Sequence, residues 1–188
     1  MEDFAHILSS VESVEGKIFD RYDFARRKWL LYRDLGGGVM LDVMIHLVSV
    51  TRYLLGAKLA LEPLSSVMRR KPSYEGDAET YALSFFKGYI DGRAVSITFE
   101  VGEEDHVGKY LRFEGREGSL TLDFKARSIV VDGAHVVRFE QDDSYKALFS
   151  FFIRHVMEAR QEPYFTLEWG LENMRVIEGA KEKARFLP

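Results

Sequence analysis

The chain has 188 residues, of which 46% are hydrophobic and 30% are charged, and its formal net charge is -4. This length fits a single domain, and the acidic balance gives no electrostatic reason to expect nucleic acid or an anionic membrane as a partner. Cysteine is absent, so disulfides and thiolate metal sites are excluded. No uncharged apolar run approaches the length of a membrane-spanning helix, and the acidic N-terminus lacks the layout of a signal peptide, so a cytoplasmic location is expected.

The first third of the chain predicts a helix, a strand and a longer helix, in that order. Apolar residues from Phe4 to Val11 recur at helical spacing, and this pattern stops at Gly16, a residue type that often ends helices. Residues 17–30 mix apolar and charged side chains in an imperfect alternation that predicts a strand. Residues 38–55 predict the clearest helix of the chain, and Gly56 ends it.

Between residues 61 and 139 the pattern changes to alternating strands joined by turn residues. The predicted strand pairs are residues 81–85 with 94–99, 110–113 with 119–122, and 128–131 with 135–139. The stretch from Gly88 to Gly92 predicts the first turn, and Asp132-Gly133 is a strong hairpin signal for the last one. The region therefore predicts a run of antiparallel strands.

Helical periodicity returns after the strands. Residues 142–160 carry an apolar stripe that stops before Pro163, and residues 166–185 carry a second one. Strands that are segregated from helices are typical of an α+β domain with one large, mostly antiparallel open β-sheet and helices packed on one face. The other face of such a sheet is bare. If that face is apolar, a second copy of the chain is its simplest cover, so a homo-oligomer is expected.

A carboxylate and an imidazole lie four residues apart in the predicted helix of residues 38–55. At this spacing Asp42 and His46 share one helix face. A carboxylate beside a histidine can fix the tautomer of the ring and raise its basicity, which suits a general acid–base near neutral pH. Two plainer interpretations stay open: His46 as a hydrogen-bonded core residue, and Gly36, Gly37 and Gly38 as a flexible helix entry.

Three stretches of the chain, taken in order, resemble a known family. The first runs from Trp29 through Gly36-Gly37-Gly38, Asp42 and His46 to Leu54-Leu55-Gly56. The second is the glycine-turn hairpin of residues 113–123, and the third is the closing helix of residues 171–180. Together they resemble the C-terminal domain of the glucose-fructose oxidoreductase, inositol dehydrogenase and rhizopine catabolism (Gfo/Idh/MocA) family, and the resemblance extends over nearly the whole chain.

This resemblance implies an NAD(P)-dependent oxidoreductase of sugars, inositols or related polyols. In the family an N-terminal Rossmann domain binds the dinucleotide, whereas this chain has no G-x-G-x-x-G motif after a strand and no Glu-Lys-Pro segment. Residues 1–15 would be a remnant of the helix that leads from that domain. Residues 16–188 would be a substrate-binding and oligomerisation domain, similar to the C-terminal domain of glyceraldehyde-3-phosphate dehydrogenase. Alone, such a chain is not expected to transfer hydride.

The resemblance also implies roles for single residues. His46 would exchange a proton with the substrate hydroxyl, and Asp42 would orient His46 or the substrate. The glycines from Gly36 to Gly38 would let the backbone turn sharply near the nicotinamide end of NAD or NADP. Two positions depart from the family: Met44 replaces a frequent glycine and would crowd the site, and Ser49 replaces an aspartate and removes a charge.

Other charged groups favour plainer interpretations. Residues 103–106 are three acidic residues and a histidine, but consecutive side chains cannot all face one ion, so a solvated loop is favoured and no metal site is predicted. The basic triplets at residues 26–28 and 69–71 are interpreted as solvated faces or salt-bridge partners. Two alternatives to a dehydrogenase domain stay open: a stand-alone module that binds a sugar or polyol without catalysis, and a dimerisation module with the same fold.

Overall fold

The computed structural model describes residues 4–21, 27–56, 59–103, 108–138, 150, 153 and 166–187. Apart from residues 150 and 153, the helix predicted for residues 142–160 lies outside the described residues, and so does the loop of residues 104–106. Within these ranges the chain forms one sheet with helices on one of its faces.

A mixed sheet of nine strands is the main element of the fold. In chain order the strands are β1 (Val11–Phe19), β2 (Ala60–Arg69), β3 (Tyr81–Ile90), β4 (Arg93–Gly102), β5 (Tyr110–Gly115), β6 (Gly118–Asp123), β7 (Ser128–Val131), β8 (Ala134–Arg138) and β9 (Ala184–Leu187). They lie side by side in the order β8-β7-β6-β5-β1-β4-β3-β2-β9. Among these strands β1 is parallel to β4 and β2 is parallel to β9, and the other six neighbouring pairs are antiparallel. The predicted α+β class with a large, mostly antiparallel open sheet is confirmed.

The helical elements are short and lie before β1, between β1 and β2, and after the hairpins. In the described ranges, apart from the isolated residues 150 and 153, they are α1 (Ala5–Ser10), the 3-10 turns Lys28–Leu31 and Arg33–Leu35, the π-helical turn Met40–Met44, α2 (Ile45–Leu55) and α3 (Leu167–Glu182). α3 begins where the Thr166 hydroxyl accepts a hydrogen bond from the Trp169 amide, which is a side-chain N-cap. The helix predicted for residues 38–55 is confirmed, although its first turn is π-helical.

Buried and more exposed side chains alternate along the central strands, and this alternation shows which face of the sheet the helices cover. In β4 the side chains of Val95, Ile97, Phe99 and Val101 are buried, whereas those between them are not. Residues from α1, α2 and α3 join them in one hydrophobic core, including Ile7 of α1, Leu47 and Val48 of α2, and Ile177 and Ala180 of α3. The helices therefore lie on one face, called here the covered face.

The segment Arg33–Leu55 has the length and the mean hydropathy, 1.4, of a helix that could cross a membrane. The segment contains Arg33, Asp34, Asp42 and Arg52, so the expectation that no uncharged apolar run reaches such a length is not contradicted. Half of its most apolar window is buried inside the fold, with Met40, Met44 and Leu47 in the core. Packing against the sheet therefore accounts for its apolar character.

The boundary predicted near Gly16 is wrong. α1 ends at Ser10, and β1 begins at Val11 instead of after the glycine. A Cβ at Gly16 would lie 2.8 Å from the Phe99 ring and 3.0 Å from the Leu47 side chain. Gly16 is therefore a strand residue that allows α2 to approach the sheet closely, and it does not end a helix.

Two other element ends also differ from the prediction. The strand predicted for residues 17–30 ends at Phe19, and Lys28–Leu31 is a 3-10 turn. The last helix ends at Glu182, and the four residues of β9 follow it and pair in parallel with β2. Both differences arise from tertiary pairing, which local periodicity does not report.

Two of the tight hairpin turns are formed by Asp-Gly pairs. Asp91 and Gly92 have φ values of 49 and 80°, and Asp132 and Gly133 have φ values of 48 and 81°. Two successive left-handed residues are what a type I′ turn requires. The predicted turn at Asp132-Gly133 is confirmed, whereas the first turn begins later than predicted because Gly88 still belongs to β3.

Candidate functional site

Asp42 and His46 lie where the π-helical turn Met40–Met44 passes into α2. Asp42 belongs to the π-helical turn, and His46 belongs to the first turn of α2. The side chains of Met44 and Leu47 are buried in the core, whereas Asp42 is half-buried and His46 is exposed. The interpretation of His46 as a core residue is therefore wrong, because this ring faces solvent.

The π-helical turn changes the placement of the two polar side chains. The Ile45 amide donates to the Met40 carbonyl, one residue further back than in an α-helix. The four-residue spacing from Asp42 to His46 therefore no longer equals one α-helical turn. Within the described part of the chain, no hydrogen bond or ion pair joins these two side chains. Their catalytic roles stay predictions, and the π-helical turn is a feature that is frequent at functional sites.

The three glycines ahead of this turn differ in their surroundings. Gly36 is exposed, has a φ of 78° and has open space where a Cβ would lie. A Cβ on Gly37 would lie 2.5 Å from the Trp29 carbonyl oxygen, and one on Gly38 would overlap the Glu79 carboxylate. Gly37 and Gly38 therefore permit close packing within the chain itself. The contact of the three glycines with a dinucleotide stays a prediction.

A buried glutamate, Glu79, holds the start of this helix. It is 1% exposed, its Oε1 accepts a hydrogen bond from the Met40 amide at 3.1 Å, and its backbone carbonyl accepts one from the Val39 amide at 3.1 Å. Burial raises the pKa of the Glu79 carboxyl, and the hydrogen bond from Met40 and the charges of Lys181 and Arg33 oppose that shift. Among the described atoms, Oε2 is buried without a hydrogen-bond partner.

Sequence reasoning misses Glu79 because nothing around it signals burial. It stands in a short polar segment just before β3, where a solvated loop residue is the ordinary expectation. Its hydrogen-bond partner Met40 lies 39 residues earlier in the chain. Only the tertiary structure brings the two together.

A buried polar network joins α2 to α3. Arg52 is 4% exposed and donates to Asn173 Oδ1 at 2.5 Å and to Glu172 Oε2 at 2.6 Å. The Asn173 side-chain amide donates in turn to Ser49 Oγ at 3.0 Å. Ser49, where an aspartate was expected, therefore serves the contact between the two helices. The prediction that Met44 crowds the site is also wrong, because its side chain is fully buried in the core.

The opposite face of the sheet, called here the open face, carries a polar network near its centre. Lys17 Nζ lies 3.1 Å from Glu100 Oε2 and 3.4 Å from Glu15 Oε1, and the Tyr81 hydroxyl donates to Glu100 at 2.9 Å. The hydrogen bond to Glu100 raises the pKa of Lys17, and burial together with the same carboxylate raises the pKa of Tyr81 to about 12. The open face is therefore apolar only in part, for example at Phe85, which is 39% exposed.

This chain does not form a dinucleotide site from its described residues. Such a site needs a parallel βαβ unit with a glycine-rich turn at the start of a helix. The parallel pairs of the sheet, β1 with β4 and β2 with β9, are not joined by such a turn. In the described ranges there is also no group of three His, Asp or Glu side chains placed to hold a metal ion.

A family model for the GFO/IDH/MocA C-terminal domain matches residues 7–133. The chain belongs to the GFO/IDH/MocA C-terminal domain family. The matched region includes the helix with Asp42 and His46 and the sheet as far as the turn between β7 and β8. The match confirms the family that the glycine, aspartate and histidine pattern predicts.

Solved structures with this fold include several oxidoreductases. D-galactose-1-dehydrogenase from Rhizobium etli is 16% identical, with a TM-score of 0.74 over 99% of this chain and 56% of its own. KijD10, a 3-ketoreductase from Actinomadura kijaniata in complex with NADP and TDP-benzene, is 18% identical, with a TM-score of 0.69 over 100% of this chain and 60% of its own. UDP-N-acetylglucosamine 3-dehydrogenase GnnA from Acidithiobacillus ferrooxidans is 16% identical, with a TM-score of 0.65 over 92% of this chain and 52% of its own.

At these identities the solved structures show a common fold. The match covers 52 to 60% of the length of these three proteins, so the rest of each solved chain lies outside it. A comparison with curated proteins finds no match.

Proposed function

We propose that this chain is the substrate-binding and oligomerisation domain of an NAD(P)-dependent oxidoreductase that acts on a sugar, an inositol or a related polyol. The observation that carries the proposal is the exposed His46, four residues after the half-buried Asp42, at a π-helical turn within the region that the family model matches. A solvent-facing histidine is able to exchange a proton with a bound substrate. Two of the solved neighbours are named as sugar dehydrogenases, which supports this substrate class.

In the proposed reaction His46 moves the proton of the substrate hydroxyl. Its ring accepts that proton as the hydroxyl becomes a carbonyl, and it returns the proton in the reverse direction. Asp42 orients the His46 ring or the substrate hydroxyl. The buried contacts from Glu79 to the helix start and from Arg52 to α3 hold the backbone that carries the pair.

NAD or NADP would be bound by a nucleotide-binding domain that this chain does not contain. The chemistry that such a cofactor would supply is hydride exchange with the substrate carbon. Gly36, which has open space around it, is the glycine of the helix entry that leaves room for such a domain to approach. By itself, the chain is proposed to be inactive in hydride transfer.

Oligomerisation is proposed to use the open face. Phe85 and Tyr89 of β3 are 39% and 38% exposed there. Aromatic residues are enriched at protein interfaces. A two-fold axis would place the same face of a second copy against it.

The gene sequence immediately upstream of the Met1 codon provides the first test. An in-frame extension that encodes a glycine-rich βαβ unit would allow the whole protein to be assayed for NAD(P)H formation with a panel of sugars, inositols and other polyols. Turnover by the whole protein and none by residues 1–188 is the expected result. Sugar or polyol binding by residues 1–188 without any dinucleotide-dependent turnover would favour the stand-alone binding module instead.

The open-face assembly has a separate test. Light scattering should show that residues 1–188 form a dimer that Phe85→Asp converts to a monomer. Leu35→Asp is the matched control, because Leu35 is 60% exposed in a turn outside the sheet. A monomeric parent chain, or equal dissociation by both variants, would contradict the proposed interface.

A further inference from the structure

A cavity opens at the edge of the open face, where β1, β2 and β4 end and β3 begins. Its volume is about 280 Å³. Its walls include three cations, two aromatic rings and a carboxylate: Arg69, Arg70, Lys71, Phe19, Tyr81 and Glu103. Neither Asp42 nor His46 lines it, so an inference about this cavity does not rest on the proposed function.

The charge of the cavity wall is opposite to that of the chain. The chain has a formal net charge of -4, yet the wall contains three cations and one carboxylate. That carboxylate, Glu103, is already engaged, because its Oε2 lies 3.4 Å from Lys71 Nζ and its Oε1 accepts a hydrogen bond from the Tyr74 hydroxyl. The wall therefore keeps an excess of positive charge, which attracts anions most strongly inside a cleft.

Arg69 is the cation of this wall that is best placed to bind a ligand. Its guanidinium carbon lies 5.1 Å from the centre of the Tyr81 ring, a cation–π contact that orients the planar group. Within the described residues, no hydrogen bond or ion pair occupies its N–H donors. Arg70, by contrast, donates to the Gly76 carbonyl at 2.8 Å. A stacked guanidinium with unoccupied donors matches the geometry of a phosphate or carboxylate group.

The aromatic rings of the wall determine which kind of group, besides the anionic one, the ligand places in the cavity. The Phe19 and Tyr81 rings lie 6.3 Å apart at an angle of 42°. The Tyr81 hydroxyl donates a hydrogen bond to Glu100 at 2.9 Å, so the part of Tyr81 that remains for a ligand in the cavity is its ring. A volume of about 280 Å³ is at the lower end for small-molecule sites. It accommodates one ring with an anionic group and is too small for a dinucleotide.

We propose that this cavity binds a small organic anion, with its phosphate or carboxylate group on Arg69 and its ring against Tyr81 and Phe19. The basic triplet at residues 69–71, interpreted from the sequence as a solvated face or as salt-bridge partners, then has a binding function. Arg70 and Lys71 add longer-range attraction, since each already has a partner in the chain. The ligand's two possible anionic groups share the same bidentate recognition by a guanidinium.

Nuclear magnetic resonance titrations of the whole chain at low ionic strength test the proposal. The probes are phenyl phosphate, benzoate and the neutral analogue phenol. Phenyl phosphate or benzoate should produce saturable shifts in the amide signals of Thr80 and Tyr81, which line the cavity, whereas phenol should not. Saturation by only one of the two anions identifies the anionic group that the site prefers.

Variants assign the binding to the proposed residue. Arg69→Gln should weaken binding of the preferred anion by about tenfold, since a charge-assisted bidentate contact is lost. Arg112→Gln is the matched control, because Arg112 is an exposed arginine of β5 that is paired with Glu114 at 2.7 Å and does not line the cavity. It should bind the anion as the parent chain does. Lys71→Gln offers a second test of the same wall and should weaken binding to a smaller extent.

Three results would overturn the proposal. The first is the absence of saturation with both anions, and the second is equal binding of phenol, which would make the cavity a plain apolar cleft. The third is an equal effect of Arg69→Gln and Arg112→Gln, which would show non-specific attraction to surface arginines.

Discussion

The two faces of the sheet are stabilised in different ways. On the covered face, Phe86, Phe99 and Phe113 are at most 2% exposed and pack in the core that the helices complete. On the open face, Lys17 and Glu100 form an ion pair at 3.1 Å that remains partly exposed to water. Truncating a core ring leaves a cavity, whereas breaking a partly exposed pair returns its charges to water. Stability therefore resides mainly on the covered face.

Truncation of an aromatic ring should give the largest difference between the faces. Phe99 is 0% exposed and its ring centre lies 5.5 Å from that of Phe86, so Phe99→Ala should lower the free energy of unfolding by about 3–5 kcal/mol. Phe85→Ala, on the open face, should lower it by about 1 kcal/mol or less. Urea unfolding at low protein concentration measures both. Equal losses would contradict the assignment of stability to the covered face.

A substitution in the polar network between α2 and α3 should give the next largest loss in the free energy of unfolding. Asn173→Ala removes the acceptor of one Arg52 N–H and the donor to Ser49 Oγ, whereas the bond from Arg52 to Glu172 remains, and the free energy of unfolding should fall by about 2 kcal/mol. Glu172→Ala is the matched control on the same helix. Its side chain is 54% exposed, so the loss should be about 1 kcal/mol or less. A larger loss of unfolding free energy from Glu172→Ala than from Asn173→Ala would contradict this ranking. It would show that the exposed ion pair of Arg52 with Glu172 contributes more than the buried hydrogen bonds.

Glu79 should make the stability of the covered face depend on pH. Burial raises the pKa of its carboxyl, so the folded chain holds this proton more tightly than the unfolded chain. The contribution of the protonated Glu79 carboxyl to the free energy of unfolding is complete below the pKa that it has in the unfolded chain. This contribution is lost as the pH rises through the raised pKa of the folded chain. Glu79→Gln keeps an oxygen for the Met40 amide and does not ionise. The stability of this variant relative to the parent, measured by urea unfolding, should therefore increase as the pH rises above the ordinary glutamate pKa of ~4, and a constant difference would contradict the account.

A substitution in the polar network of the open face should change the free energy of unfolding the least. Its pH dependence should appear only at alkaline pH. The pKa of Tyr81 is raised from 10.0 to about 12, so its contribution is present below pH 10 and is lost as the pH rises toward 12. Tyr81→Phe should differ from the parent by less than about 1 kcal/mol at neutral pH. Between pH 10 and about 12 the parent should lose more stability than the variant does. An absorbance titration in which Tyr81 ionises at the ordinary pKa would exclude this shift.

Local chemistry predicts part of this fold and of its candidate site. The Asp132-Gly133 turn and the helix that carries Asp42 and His46 follow from residue types at short spacing. β9 does not, because four residues after a helix become a strand only through pairing with β2.

The surroundings of the candidate site are also beyond local patterns. The burial of Glu79 depends on the Met40 amide, which is distant in the chain. Whether His46 faces the core or the solvent is decided by the way α2 packs on the sheet, since apolar residues flank it on both sides in the sequence.

The turnover number of the whole protein with His46→Asn tests the central claim most directly. Asparagine keeps a polar side chain but does not exchange a proton near neutral pH, so kcat should fall by about 100-fold. The fold should be unaffected because His46 is exposed. His6→Asn, at another exposed histidine in α1, should leave kcat unchanged. An unchanged kcat for His46→Asn would contradict the assignment of proton transfer to this residue.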